Sequence, residues 1–103
     1  MKIEDLAETD VLSLYLDQRH AFLELAVVGS SGARFKVLAR NHDGSSIGVE
    51  FGQVHFRGNF STAENLPSLG ELESVAVTDN GVILEGDFGD ITVRADCIEV
   101  VEQ

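Results

Sequence analysis

The run over residues 75–101 most constrains the fold, because its apolar residues alternate with polar ones between short turn signals. Asn80-Gly81 is the strongest short-range signal for a β-hairpin, since both residues accept the positive φ angles of a tight turn. With these two residues in the loop, Val77 lies opposite Leu84. A loop at Asp79-Asn80 shifts the pairing by two residues and leaves every side chain on the same face. The predicted faces therefore do not depend on which turn forms.

A second turn within residues 86–90 adds a third strand to this hairpin and gives the meander one apolar face. The predicted inward residues are Val75, Val77, Val82, Leu84, Ile91, Val93 and Ala95. After Cys97 the apolar phase changes to even positions, at Ile98 and Val100. A β-bulge or a corner between sheets near Cys97 would restore the inward face.

The remaining chain predicts further strands over residues 11–16, 22–28, 35–40 and 47–56. A glycine bulge is predicted at Gly52, and residues 57–72 are predicted as an irregular connection. The fold class is therefore mainly β, as a single small antiparallel β-sandwich or strongly bent sheet of about seven to eight strands, with a short N-terminal helix. A barrel is the alternative, and residues 1–103 form one domain.

The cellular setting is inferred from the termini, the cysteine count and the apolar runs. A single cysteine allows no internal disulfide, which fits a reducing compartment. The acidic N-terminus argues against a signal peptide, and no apolar run approaches the ~18 residues of a membrane span. We therefore expect a cytoplasmic protein without membrane association.

The acidic balance of the chain carries most of the functional signal. Eighteen acidic residues stand against seven basic ones, which gives a formal net charge of −11. Such a field repels nucleic acid and anionic membranes, and it attracts basic partners. Acidic residues are densest at the predicted turns of the last hairpins, so the predicted partner-binding residues are Asp79, Glu85, Asp87 and Asp90. The alternative is that this acidic surface serves solubility alone.

No pattern in the sequence predicts catalysis or a bound metal. Cys97 continues the inward series and is predicted as a small core residue rather than a nucleophile. His20, His42 and His55 do not lie at ligand spacing with another histidine or with the cysteine. The segment DNGVILEGDFGD lacks the glycine and glutamate of a calcium-binding loop. We therefore expect a protein that is not an enzyme, with no catalytic residue, cofactor or metal.

The segment VEFGQVHFRGNF resembles the RNA-binding strands of cold-shock and RRM proteins, which place aromatic residues beside basic ones. The resemblance covers about a dozen residues and implies base stacking on Phe51 and Phe56. A companion aromatic motif is missing, and the net charge of −11 opposes phosphate binding. We therefore expect both phenylalanines in the core and no nucleic-acid partner.

Three functions remain open from the sequence. The leading hypothesis is a non-enzymatic protein-binding domain with an acidic surface, most concretely an immunity-type inhibitor that masks a basic toxin. The second is a structural subunit or homodimer that joins two copies through an edge strand over residues 35–40. The third is a small-molecule-binding β-barrel or an uncharacterised enzyme, which requires a sizeable concave pocket.

Overall fold

A computed structural model describes residues 2–54, 60–61 and 67–103, and of residues 60–61 and 67–68 it describes the backbone only. A 3₁₀ turn over Ile3–Leu6 precedes ten strands. The strands are β1 (Thr9–Leu16), β2 (Phe22–Val28), β3 (Arg34–Arg40), β4 (Gly48–Gly52), β5 (Phe60–Ser61), β6 (Pro67–Ser68), β7 (Gly70–Thr78), β8 (Gly81–Gly86), β9 (Gly89–Arg94) and β10 (Cys97–Glu102). Eight of them form one antiparallel sheet in the order β10-β3-β2-β1-β7-β8-β9-β4, and β5 pairs with β6. The predicted mainly-β class is confirmed.

The sheet is strongly bent at the junction of β9 and β10. These strands are separated by Ala95 and Asp96 alone, yet β9 pairs with β8 and β4 whereas β10 pairs with β3. The Asp96 N–H donates to Asn41 Oδ1 over 3.0 Å, which holds the junction against the segment after β3. Ile98 and Val100 then pack against the core from even positions. The corner predicted near Cys97 is confirmed.

The pairing partners show how the bend brings the far sides of the sheet together. Cys97 lies opposite Arg40 and Gly48 lies opposite Arg94, so β9 and β10 together run antiparallel to β3 and β4. Residues 41–47 are inserted between β3 and β4, facing the β9–β10 corner. The β9–β10 and β3–β4 connections therefore join the first two strands of the order, β10 and β3, to the last two, β9 and β4. The sheet is rolled around one core.

The core contains most of the inward residues that alternation predicts. β2 contributes Leu23, Leu25 and Val27, and it lies between β1 and β3 inside the sheet. The members from β3, β8 and β9 are Phe35, Val37, Ala39, Val82, Leu84, Ile91 and Val93. Phe88, which the sequence places in a turn, is only 1% exposed and joins the same core.

Two predicted core residues lie elsewhere. Val77 keeps its predicted face, opposite Val82, but its side chain is 57% exposed within the described part of the chain. Cys97 is half-buried and follows the corner, so it belongs to the phase opposite to Ile98 and Val100. Its Sγ lies 4.0 Å from Glu99 Oε1, on the outer face of β10. The prediction of an inward Cys97 is therefore wrong.

The first hairpin turns at Asp79-Asn80, because Thr78 pairs with Gly81 and Val77 with Val82. The preferred Asn80-Gly81 turn is wrong, and the two-residue shift leaves the faces as predicted. A Cβ at Gly81 would collide with the carbonyl oxygen of Val93. This glycine is thus required within the strand ladder, where β8 and β9 approach closely, rather than in the turn.

Four further expectations change. β4 ends at Gly52 and Gln53 has a φ of 53°, so the strand ends where an internal bulge was predicted. Phe51 is 46% exposed rather than buried, and Phe56 lies outside the described residues. β7 already begins at Gly70, within the predicted irregular connection. β3 pairs with β2 and β10, so the edge strand expected over residues 35–40 is an interior one.

Candidate functional site

The four predicted partner-binding acids separate into two groups at opposite ends of β8. Glu85 and Asp90 are cross-strand partners and both are exposed, and Asp87 lies in the two-residue turn beyond them. Asp79 lies in the other turn, before β8 begins. Asp79 and Glu85 are six positions apart, and extended chain of that length spans roughly 20 Å. The structure therefore brings three of the four predicted acids together and excludes Asp79.

The β8–β9 turn is fastened to the beginning of β7 by two hydrogen bonds. The Asp87 N–H donates to the Glu71 carbonyl over 3.1 Å, and the Glu71 N–H donates to Asp87 Oδ2 over 3.3 Å. Beneath the turn, Phe88 fills the end of the core, next to Gly70. The result is that Glu71 and Glu73, which sequence analysis did not select, lie beside the carboxylate of Asp87.

These residues form what we call the acidic face, which consists of Glu71, Glu73, Glu85, Asp87 and Asp90. All five are exposed. A hydrogen bond with the Asp87 carboxyl, and then repulsion from Asp87, Glu71 and Glu85, raise the pKa of Glu73 above its usual value of 4.5. None of the four ion pairs found in the described part of the chain includes a member of this face. Among the described residues, its negative charge therefore has no positive partner in an ion pair.

Carboxylates that lie close together can also bind divalent cations. Across residues 2–54, 60–61 and 67–103, no group of three His, Cys, Asp or Glu side chains has the arrangement of a metal site. The chemistry that the acidic face offers is the acceptance of hydrogen bonds and ion pairs from lysine and arginine side chains.

A groove of about 800 Å³ lies at the other end of β8, where Val77 is exposed. Its wall is formed by the 3₁₀ turn, by the β7–β8 hairpin, by the β9–β10 corner and by β10. The apolar residues that line it are Ile3, Val77, Val82, Ile98 and Val100. We call this feature the apolar groove. Its volume lies within the range of ~300–1,000 Å³ typical of ligand sites, so the third hypothesis, which required a concave pocket, stays a prediction.

The rim of the apolar groove carries charges of both signs. The charged lining residues are Lys2, Glu4, Asp79, Arg94 and Asp96. Arg94 Nη1 lies 2.7 Å from Glu50 Oε1, so its charge is already paired. Asp96 Oδ1 accepts the His42 N–H over 2.8 Å. Lys2, Glu4 and Asp79 take part in none of the ion pairs of the described residues, so two acids stand against one base and the rim is acidic on balance.

The remaining predicted site candidates lie apart from both features or at their margin. His20 is exposed, with a φ of 55°. His42 is exposed, and its Nε2 lies 3.9 Å from Asp96 Oδ1. His55 lies outside the described residues. Cys97 is on the outer face of β10, away from the core position that the sequence predicted.

No family model, no curated protein and no solved structure matches this chain. Over the described residues, no helix has the length and apolar character needed to cross a membrane.

Proposed function

We propose that this chain is a non-enzymatic protein-binding domain whose acidic face binds a basic surface of another protein. The observation that carries the proposal is the grouping of Glu71, Glu73, Glu85, Asp87 and Asp90 with no lysine or arginine of the described residues in ion-pair contact. A chain of net charge −11 already repels like charges within itself. A basic partner would supply the missing counter-charges.

The electrostatics of the acidic face suit rapid recognition. Complementary charge accelerates diffusional encounter and selects against partners of the wrong sign. A hydrogen bond with Asp87 and repulsion from neighbouring carboxylates raise the pKa of Glu73, and a partner cation would offset this repulsion. The Asp87–Glu71 hydrogen bonds hold the β8–β9 turn in place, so these acids are presented without prior folding of a loop.

The most concrete form of this proposal is an immunity-type inhibitor that masks a basic toxin in the cytoplasm. A small acidic domain that works by charge and shape alone would fit such a role, since masking requires no chemistry. A toxin-like reading frame beside the gene for this chain would support this form. Its absence would return the proposal to a basic partner of another kind.

The test uses two double variants that change the net charge equally. Glu73→Lys with Glu85→Lys alters the acidic face, whereas Glu4→Lys with Glu102→Lys alters exposed acids elsewhere. A partner is captured from the source cell, identified, and its dissociation constant is measured at about 0.05 M and 0.5 M salt. We expect a basic partner, weaker binding at high salt, and a loss of at least about tenfold for the first variant only.

Two results would contradict the proposal. One is a partner that is not basic or that binds equally at both salt concentrations. The other is equal weakening by both double variants, which would show that net charge matters and the acidic face does not.

A further inference from the structure

The apolar groove lies where one strand of the sheet is missing. β8 pairs with β9 until Gly81 lies opposite Arg94, and the Ala95 N–H extends this ladder by donating to the Asn80 carbonyl over 3.0 Å. The chain then turns away into β7. β9 continues through the corner as β10, which has β3 as its only strand neighbour among the described residues. Among the described residues, one edge of β10 therefore has no strand beside it, and this edge lies in line with the end of β8.

The side chains along this free edge are apolar and only partly buried. Ile98 and Val100 point from β10 toward the interior and are half-buried, and both line the apolar groove. Val77 faces the same space and is 57% exposed. A strand added beside β10 would place every second side chain over these residues, because side chains alternate along a strand. Its intervening side chains would point outward.

We propose that the apolar groove binds an extended segment of a partner protein, which adds to the free edge of β10 as a strand of about five to six residues. Its inward positions are apolar and contact Val77, Ile98 and Val100. Its outward and flanking positions are basic, because the rim charges that take part in no ion pair of the described residues are two acids, Glu4 and Asp79, against one base, Lys2. The basic character of the segment rests on the proposed function. The strand addition rests only on the register of β8, β9 and β10.

A second copy of this chain is expected to bind the groove more weakly than a basic segment, because two copies with a net charge of −11 each repel one another. Pairing of two β10 edges would also bring two acidic rims together. Main-chain hydrogen bonds give strand addition its affinity, and the alternate side chains give its specificity. These two contributions can be separated experimentally.

The experiment titrates the full chain with an alternating valine–lysine octapeptide and follows backbone amides by nuclear magnetic resonance. We expect shifts at Val77 and along Cys97–Glu102, with slowed hydrogen exchange on β10. A second peptide with N-methyl groups at alternate residues has the same charge and side chains but lacks the edge-facing donors. We expect its affinity to be at least tenfold lower. Equal affinity of the two peptides would overturn strand addition.

Two protein variants locate the site. Val77→Asp places a charge on the floor of the groove, and because Val77 is exposed the fold should survive. Val101→Asp is the matched control, since Val101 is 38% exposed and lies in the opposite phase of β10. We expect at least tenfold weaker peptide binding for the first and less than twofold for the second. Equal binding by Val77→Asp and the parent chain would overturn the proposal.

Two further outcomes identify another occupant. A dimer in light scattering that Val77→Asp dissociates would overturn the proposal in favour of a second copy. Equal affinity for a valine–serine octapeptide would overturn the basic character of the segment, and with it the link to the proposed function, while strand addition stands. Loss of binding in Glu73→Lys with Glu85→Lys, combined with unchanged binding in Val77→Asp, would place the peptide on the acidic face instead.

Discussion

The two ends of strand β8 close the same core in different ways. At the acidic face, the β8–β9 turn places Phe88 under the sheet, where it is 1% exposed. At the apolar groove, the β7–β8 turn contributes only polar residues, and Val77 is 57% exposed on its inward face. Inward alternation runs along the whole hairpin. Whether an inward residue is buried thus depends on what lies across from it.

The acids at the two ends also differ in their surroundings. Those of the acidic face lie next to one another and raise the pKa of Glu73. Near the apolar groove the charges are spread along the rim, and two of them already have partners, Arg94 with Glu50 and Asp96 with His42. The acidic face therefore combines closely spaced charges with a well-packed core beneath them. The apolar groove combines exposed apolar side chains with charges spread along its rim.

The largest predicted effect is a loss of stability that depends on how tightly the core is packed at each end of β8. Phe88→Ala should lower the free energy of unfolding by about 3–5 kcal/mol, because it leaves a cavity under the β8–β9 turn. Val77→Ala should change it by about 0.5 kcal/mol or less, since the side chain is mostly exposed. Urea unfolding followed by circular dichroism measures both. Similar losses in the two variants would mean that the groove end is as tightly packed as the acidic end.

A smaller effect is expected for Gly81→Ala at the groove end. The added methyl group would collide with the Val93 carbonyl oxygen, so β8 and β9 must move apart, at a cost of about 1–3 kcal/mol. Gly29→Ala is the matched control, because its new Cβ would meet the Ala33 oxygen at an ordinary 3.8 Å. Thermal unfolding of both variants gives the comparison. A Gly81→Ala chain as stable as Gly29→Ala would contradict the register described here.

The smallest predicted effect concerns pH at the acidic face. Because folding raises the pKa of Glu73, the folded chain keeps a proton that the unfolded chain releases above pH 4.5. This contribution to stability is present below pH 4.5 and is lost as the pH rises through the folded-state pKa. Glu73→Gln should therefore be slightly more stable than the parent chain at pH 7, with a difference that shrinks toward pH 4.5.

Denaturant midpoints measured from pH 4 to pH 7 test this expectation, with Glu102→Gln as the control outside the acidic face. A gain for Glu73→Gln that does not vary with pH would show that charge repulsion is not its cause. An equal gain for Glu102→Gln would assign the effect to net charge.

The faces of β7, β8 and β9 could be predicted because alternation depends only on the backbone period. The turn could not, since the local preference of Asn80-Gly81 is outweighed by the close approach of Gly81 to the Val93 carbonyl across the ladder. The exposure of Val77 could not be predicted either, because it depends on β10 having no second strand neighbour among the described residues. Such long-range pairing leaves no local pattern in the chain.

The acidic face could be predicted in part. Glu85, Asp87 and Asp90 are close in sequence, so a turn rich in acids already indicated them. Glu71 and Glu73 join them through the hydrogen bonds between Asp87 and the start of β7, which sequence analysis assigned to an irregular connection. The alternation of Glu71, Leu72 and Glu73 was a usable strand signal there. The bulge between Leu72 and Ser74 interrupts the alternation, so that the inward residues change from even positions at Leu72 to odd positions at Val75.

The corner between β9 and β10 has a consequence for the order of folding. It joins residues far apart in the chain, since Asn41 and Asp96 are separated by 55 positions. During synthesis, β3 therefore leaves the ribosome long before β10 can pair with it. Until then its free side is an unprotected template for pairing with another chain. Contacts of such long range also slow folding, so closure by β10 is expected to be the late step.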